Sequence, residues 1–227
     1  MDISLVTKAD AQALLDEAAV TRVVRLERFV RDQGNWEALA ACYVADSSVR
    51  TTWFLGTGAE FAEASRVMAV NGRHSKHMIW PASVRVNGDR ALSESPAAIL
   101  NRSVIDSVEV DMVQWCRFFS RLVRTAEGWR LASFEGIYQR DEIHAVWPGE
   151  QLPDRWRLEI LPFRDSYRVW AWAMERRGYQ VSQELLGDDR PDLPKAFYAE
   201  EERWLAGLGS AWRRAAAALC VAWWTAR

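Results

Sequence analysis

Three histidines and three cysteines in 227 residues leave little material for metal or disulfide chemistry. Cys42, Cys116 and Cys220 lie far apart, and none forms a Cys-x-x-Cys. That odd, scattered set excludes a disulfide scaffold and a structural zinc site, and it fits a reducing cytoplasm. Charge of one sign is also missing: 29 Lys and Arg face 31 Asp and Glu, a formal net charge of -2. Such a chain has no electrostatic footprint for nucleic acid or an anionic membrane. No run of about 18 apolar residues occurs, so no membrane helix is expected. Met1-Asp2-Ile3-Ser4 lacks the basic and apolar regions of a signal peptide. No repeat or low-complexity tract is present.

Tryptophan is what the chain has in excess: 13, beside 8 Phe and 5 Tyr. Large flat side chains suit a dense core, a roomy apolar pocket or a subunit interface. The rest of the composition, 49% hydrophobic and 26% charged, is that of an ordinary globular chain.

From about Asp10, Leu14, Leu15, Ala18, Ala19, Val23, Leu26 and Val30 recur at helical steps. Asp32-Gln33-Gly34-Asn35 ends that helix, with Gly34 suited to a left-handed stop. A shorter helix is expected from Trp36 to Tyr43, a strand from Val49 to Leu55, and a third helix ending near Asn71-Gly72. A strand from Met78 to Val86 then meets a hairpin signal, Asn87-Gly88, and returns from Ala91 to Arg102. Asp111 to Arg124 and Trp129 to Ile137 form a second pair. Helices followed by hairpins predict an α+β domain with one antiparallel sheet packed on helices.

Beyond Asp141-Glu142 the character changes. Pro148, Gly149 and Pro153 mark a linker, which divides the chain into residues 1–146 and 147–227. The second part reads as a helical C-terminal extension, with helices from Phe163 to Leu186 and Pro194 to Leu205. An Ala-rich end carries Trp212, Trp223 and Trp224. It is too aromatic to float free and is expected to act as a lid or a dimer arm. Glu200-Glu201-Glu202-Arg203 reads as a solvated helix face.

The stretch with most chemistry is Asn71 to Pro81, which holds His74 and His77. His77 stands where polar residues give way to Met78-Ile79-Trp80, at the entry to a core strand. An imidazole half out of water there can be tuned for proton transfer. Asp32 sits at the unfavourable C-terminal end of a helix dipole, which costs stability unless something compensates. His74 and His77 point to opposite faces of a strand and have no third ligand nearby, so no metal is expected. His144 reads as solvated, and Cys116 as a buried, inert thiol.

The order of these features carries a resemblance. A helix ending in Asp32-Gln33-Gly34-Asn35-Trp36 is followed by a short helix, a strand and a third helix. Lys76-His77-Met78-Ile79 then opens a strand that leads into two hairpins. Over about Asp10 to Ile143 this resembles the SnoaL-like branch of the nuclear transport factor 2-like superfamily. Scytalone dehydratase, ketosteroid isomerase and a lindane dehydrochlorinase are relatives there. The resemblance implies a cystatin-like cone, a curved sheet around a deep pocket closed by three N-terminal helices, and a homodimer. It also implies that Asp32 orients His77 as a cofactor-independent base in a lyase or isomerase. The small, apolar, cyclic substrate would be of the polyketide, steroid or aromatic-catabolite kind.

Such a base predicts loss of activity as pH falls through its pKa. Tyr43, Trp53, Asn101, Trp115 and Arg117 are the candidates to line the pocket. Arg31 stands where scytalone dehydratase has a tyrosine, and Asn101 where it has a deeper histidine; the ketosteroid isomerase oxyanion donors find no match. The Arg-rich strand Cys116 to Arg124 also resembles the β subunit of ring-hydroxylating dioxygenases, which is mostly structural. That is the alternative reading.

Overall fold

The first helix, α1 (Lys8–Asp32), lies across the mouth of a curved, open sheet. A computed structural model describes residues 8–72 and 75–208. His74, Cys220, Trp212, Trp223 and Trp224 lie outside the described residues. Two short elements, α2 (Trp36–Ala41) and β1 (Tyr43–Arg50), follow α1. Next come β2 (Leu55–Gly56), α3 (Gly58–Val70), β3 (Ser75–Ile79) and β4 (Ser83–Asn87). The long strands β5 (Arg90–Ile105), β6 (Val108–Thr125) and β7 (Gly128–Ala145) form the body of the sheet. After them run α4 (Asp154–Ile160), α5 (Arg168–Glu175), β8 (Leu186–Gly187) and α6 (Asp192–Leu205).

The sheet order is β2-β1-β7-β6-β5-β3, with β4 also on β5 and β8 also on β7. It is antiparallel except where β1 and β8 pair with β7 in parallel. Two register shifts between β6 and β7, at Trp115/Cys116 and Arg121/Leu122, add residues to one strand. Such bulges bend and twist a sheet, and here they curve its long strands. Asp106 and Ser107 turn β5 into β6 with φ of 48° and 70°, the left-handed pair a two-residue hairpin needs.

Several elements differ in extent from the sequence reading. Tyr43 opens β1 rather than closing α2. The expected strand from Met78 to Val86 is two strands, because Pro81 interrupts the ladder between them. The expected Phe163–Leu186 helix is helical only over Arg168–Glu175; Gly178, at φ 86°, turns the chain soon after. His144 belongs to β7 and is hydrogen-bonded to Glu142 at 3.1 Å.

The face that α1 buries is not its leucine-rich one. Leu14, Leu15, Leu26 and Phe29 are exposed, whereas Asp16, Glu27, Arg28 and Arg31 are buried with Val20, Val24 and Val30. Buried charges persist only with partners. Asp16 accepts from Arg124 at 2.7 Å, and Glu27 binds both Arg28 and the Tyr43 hydroxyl. Tyr43 in turn explains Gly58: a Cβ there would sit 2.1 Å from Tyr43 Cγ.

Residues after the linker do not stand apart. Trp156, Trp170, Trp172 and Met174 share one hydrophobic cluster with Val20, Phe61, Cys116 and Phe118. On the outer face, Leu92, Phe119, Ile137, Leu186 and Trp204 form a second cluster beneath α6. Glu201 is buried there against Arg121, so the expected solvated face of α6 turns inward at that residue. No helix among the described residues is long and apolar enough to cross a membrane.

Glu135 is buried on the same outer side, with one carboxylate oxygen on Arg50 and the other without a hydrogen-bond partner among the described residues. Burial pushes its pKa up to about 7, against the pull of Arg50. Between its ordinary value near 4.5 and about 7, the unfolded chain gives up this proton while the folded chain keeps it. Stability therefore falls as pH rises through that window, by roughly 3 kcal/mol for this one group. Glu135→Gln is expected to flatten that slope, measured as urea midpoints at pH 5 and pH 8.

Candidate active site

Gly34 fixes where the first candidate residue points. At φ 74° it is the left-handed stop of a Schellman cap: Asn35 N–H donates to Val30 O at 2.9 Å and Gly34 N–H to Arg31 O at 3.1 Å. Asn35 then caps α2, its side chain accepting from Ala38 N at 3.1 Å. The cap leaves the Asp32 carbonyl free, and the Lys76 ammonium binds it. A cation at a helix C-terminus offsets the dipole that disfavours Asp32.

Alternation along β3 exposes Lys76 and turns Ser75 and His77 inward. Asp32 Oδ1 lies 2.7 Å from His77 Nδ1, and Asp32 Oδ2 accepts from the His77 backbone N–H, also at 2.7 Å. The His77 side chain is 4% exposed and that of Asp32 12%. Burial, reinforced by the Arg31 and Arg28 charges, lowers the His77 pKa to about 3 despite the pull of Asp32. Burial also pushes Asp32 up, but the His77 hydrogen bonds outweigh it and hold the carboxyl below its usual range. The resting pair is a carboxylate and a neutral imidazole with its proton on Nδ1. Nε2 is left as the unprotonated nitrogen.

His77 lines a narrow cavity with about 30 Å³ of free space, room for roughly two water molecules. Phe61, Met68, Ile99, Phe118 and Phe134 form its apolar wall, and Trp53, Thr51, Thr52 and Tyr138 its rim. Trp170 and Met174 of α5 also line it, so residues beyond the linker contribute to the cavity. Arg28 and Arg31 face it from α1. Glu27 holds Arg28 through both Nε and Nη2, and Tyr43 Oη donates to Glu27 at 2.8 Å.

Of the seven candidates, the fold brings Asp32, His77 and Trp53 together. The other four stand elsewhere. Tyr43 is buried behind Glu27 and reaches the cavity only through Arg28. Trp115 and Arg117 share the outer face of β6 with Phe119 and Arg121. Trp115 Nε1 donates to Glu142 at 2.8 Å, and Arg117 binds Glu94 and Asp188 at 2.9 Å each. Asn101 lies on the same face of β5 as Ile99 but outside the cavity, in a polar recess with Ser103 and Arg177. Cys116 is buried, and burial drives its thiol pKa up, as for an inert residue.

Sequence reasoning missed Arg28, Phe118, Phe134, Trp170 and Met174 as cavity residues. The two bulges reset the parity of β7, alternation along β6 does not say which face is the inner one, and nothing local marks α5 as part of the cavity. In the sequence, Arg31 stands out only as a departure from the scytalone dehydratase pattern.

A neutral imidazole held by a carboxylate in a narrow, largely aromatic-walled cavity defines a class of pocket protein built on a curved α+β sheet. The family model described as a SnoaL-like domain matches residues 12–135, more than half of the chain. The chain belongs to that family, within the nuclear transport factor 2-like fold and among proteins that bind small molecules.

Pea pathogenicity protein 2 of Fusarium vanettenii is 26% identical over 188 residues, covering 78% of this chain and 80% of that protein. An uncharacterized protein of Emericella nidulans is 28% identical over 169 residues, covering 70% and 71%. Among solved structures, a hexachlorocyclohexane dehydrochlorinase of type 2 superposes with a TM-score of 0.51. It is 14% identical, and the match covers 64% of this chain and 98% of that one. At that identity the likeness concerns the fold.

Proposed function

We propose that the protein is a cofactor-independent lyase or isomerase whose general base is His77, oriented by Asp32. The observation that carries this is the two-point grip of Asp32 on His77, at Nδ1 and at the backbone N–H, both 2.7 Å. The grip fixes ring orientation and tautomer and leaves Nε2 as the proton acceptor.

The reaction begins with removal of a proton from carbon next to a carbonyl or aromatic ring. Its electron pair moves into the adjoining π system, and Asp32 stabilises the imidazolium that forms. The same proton then passes to a leaving hydroxyl, which departs as water, or returns to a different carbon. Phe61, Phe118 and Phe134 suit a small apolar ring, and Trp170 and Met174 must move aside to admit it. The protein acts as a cytoplasmic homodimer in this reading. The outward Leu15, Leu26 and Phe29 of α1 are apolar surface available for pairing.

A purely structural role draws no support from the Arg-rich strand. Arg117, Arg121 and Arg124 are occupied by Glu94 and Asp188, by Glu201, and by Asp16 and Asp89. The test is a panel of cyclic β-hydroxy ketones incubated in D2O. Deuterium uptake at the carbon α to the carbonyl, with or without loss of water, is expected from wild type and not from Asp32→Asn. Equal uptake by both proteins would refute the base assignment.

A further inference from the structure

Arg31 is a buried cation without a hydrogen-bond partner among the described residues. Its side chain is 8% exposed and lines the cavity beside His77. Its Nε is fully enclosed and makes no hydrogen bond. The nearest carboxylate oxygen, Asp32 Oδ1, is 3.9 Å from Nη1 and is already bonded to His77 Nδ1. Asp32 Oδ2 is taken by the His77 backbone. The guanidinium instead sits over the Phe61 ring, 5.5 Å from its centroid. Arg28 is different, since Glu27 engages it through two nitrogens.

A buried guanidinium with idle donors is costly unless a ligand fills them.

Resting on the reading of this cavity as a substrate site, we infer that Arg31 binds an oxyanion of the substrate. The substrate is then a small cyclic molecule carrying a carboxylate or an ionised phenol. A planar carboxylate matches the guanidinium fork in two parallel hydrogen bonds. The anion would also offset the Arg31 charge that weakens His77 as a base, so that the correct substrate strengthens the group that deprotonates it.

The probes are benzoate and its neutral counterpart benzamide, titrated at pH 7.5. Quenching of tryptophan fluorescence is the readout, because Trp53 and Trp170 line the cavity. Wild type is expected to bind benzoate at least tenfold more tightly than benzamide. Arg31→Gln removes that preference, and Arg31→Lys keeps part of it. His77→Gln retains the preference, so anion binding is read independently of the base role and survives if the dyad proposal fails. Equal affinity of wild type for the two probes overturns the inference whether or not the Arg31 variants fold. So does an unchanged preference in Arg31→Gln.

Discussion

His77→Ala is expected to lower kcat/KM by about 10²–10⁴-fold, the usual contribution of a positioned general base, while circular dichroism stays close to wild type and Tm falls because Asp32 Oδ1 loses its buried partner. Asp32→Asn should be nearly as damaging, for a reason visible in the hydrogen bonds. One Asp32 oxygen accepts from the His77 backbone N–H, which is always a donor. In the variant, the amide oxygen must take that place. The amide NH2 is thereby turned toward Nδ1 and can only donate to it. The imidazole is forced into the other tautomer, with its proton on Nε2 and no lone pair facing the cavity.

The pH dependence separates this site from an exposed histidine. Burial holds the His77 pKa near 3, so the rate should stay level from about pH 8 to pH 5 instead of falling near 6.5. The acid limb expected at the pKa of the base is thus placed by the fold well below the ordinary imidazole value. Acid affects stability first. The folded pKa lies below the unfolded one, so between about 6.5 and 3 the unfolded chain takes up a proton that the folded chain refuses. The His77 contribution to stability is present above 6.5 and drains away as pH falls. A pH–rate profile with its midpoint at 6.5, taken on folded protein, would show that His77 is not held as described.

Glu201→Ala should cost about 3–5 kcal/mol, the penalty for leaving one partner of a buried pair unmatched. Arg121 donates to Glu201 through Nε at 2.6 Å and Nη2 at 2.8 Å, with the two side chains 3% and 1% exposed. The Arg121 guanidinium also lies 5.0 Å from the Trp204 ring centroid. The pair pins α6 to the outer face of the sheet, opposite the cavity. Chemical denaturation should report the loss, and His77-dependent activity should persist below the new midpoint. Replacing both residues by apolar ones of similar volume should cost much less than either single change. A single-variant loss below 1 kcal/mol would mean that Trp204 and Phe197 packing, with the Asn87 and Arg90 hydrogen bonds to the last turn, holds α6 without this pair.

How much was legible depended on whether the signal was local. The Asp32-Gln33-Gly34-Asn35 stop, the capping of α2, the hairpin at Asn87-Gly88 and the entry of His77 into a strand are short-range matters of backbone geometry. They could be read from neighbouring residues. The distance between Asp32 and His77 is not local, and only the resemblance joined them. Strand parity failed for Trp115 and Arg117 because alternation assigns two faces without saying which is the inner one. The leucines of α1 misled for a related reason. Apolar periodicity marks a buried face only when the charges opposite have no partners in the core, and here Asp16, Glu27 and Arg28 do.

By itself, the amino-acid order determined the α+β class, the helix that delivers a carboxylate to its last turn and the strand that presents an imidazole. Those follow from dihedral preferences, caps and periodicity, which act over a few residues. Tertiary structure alone decided that the two groups share a hydrogen bond, that α5 lines the cavity and that Arg31 is buried with no hydrogen-bond acceptor among the described residues. Burial, and the dielectric it creates, is a property of packed neighbours distant in the chain, and no window of sequence contains it.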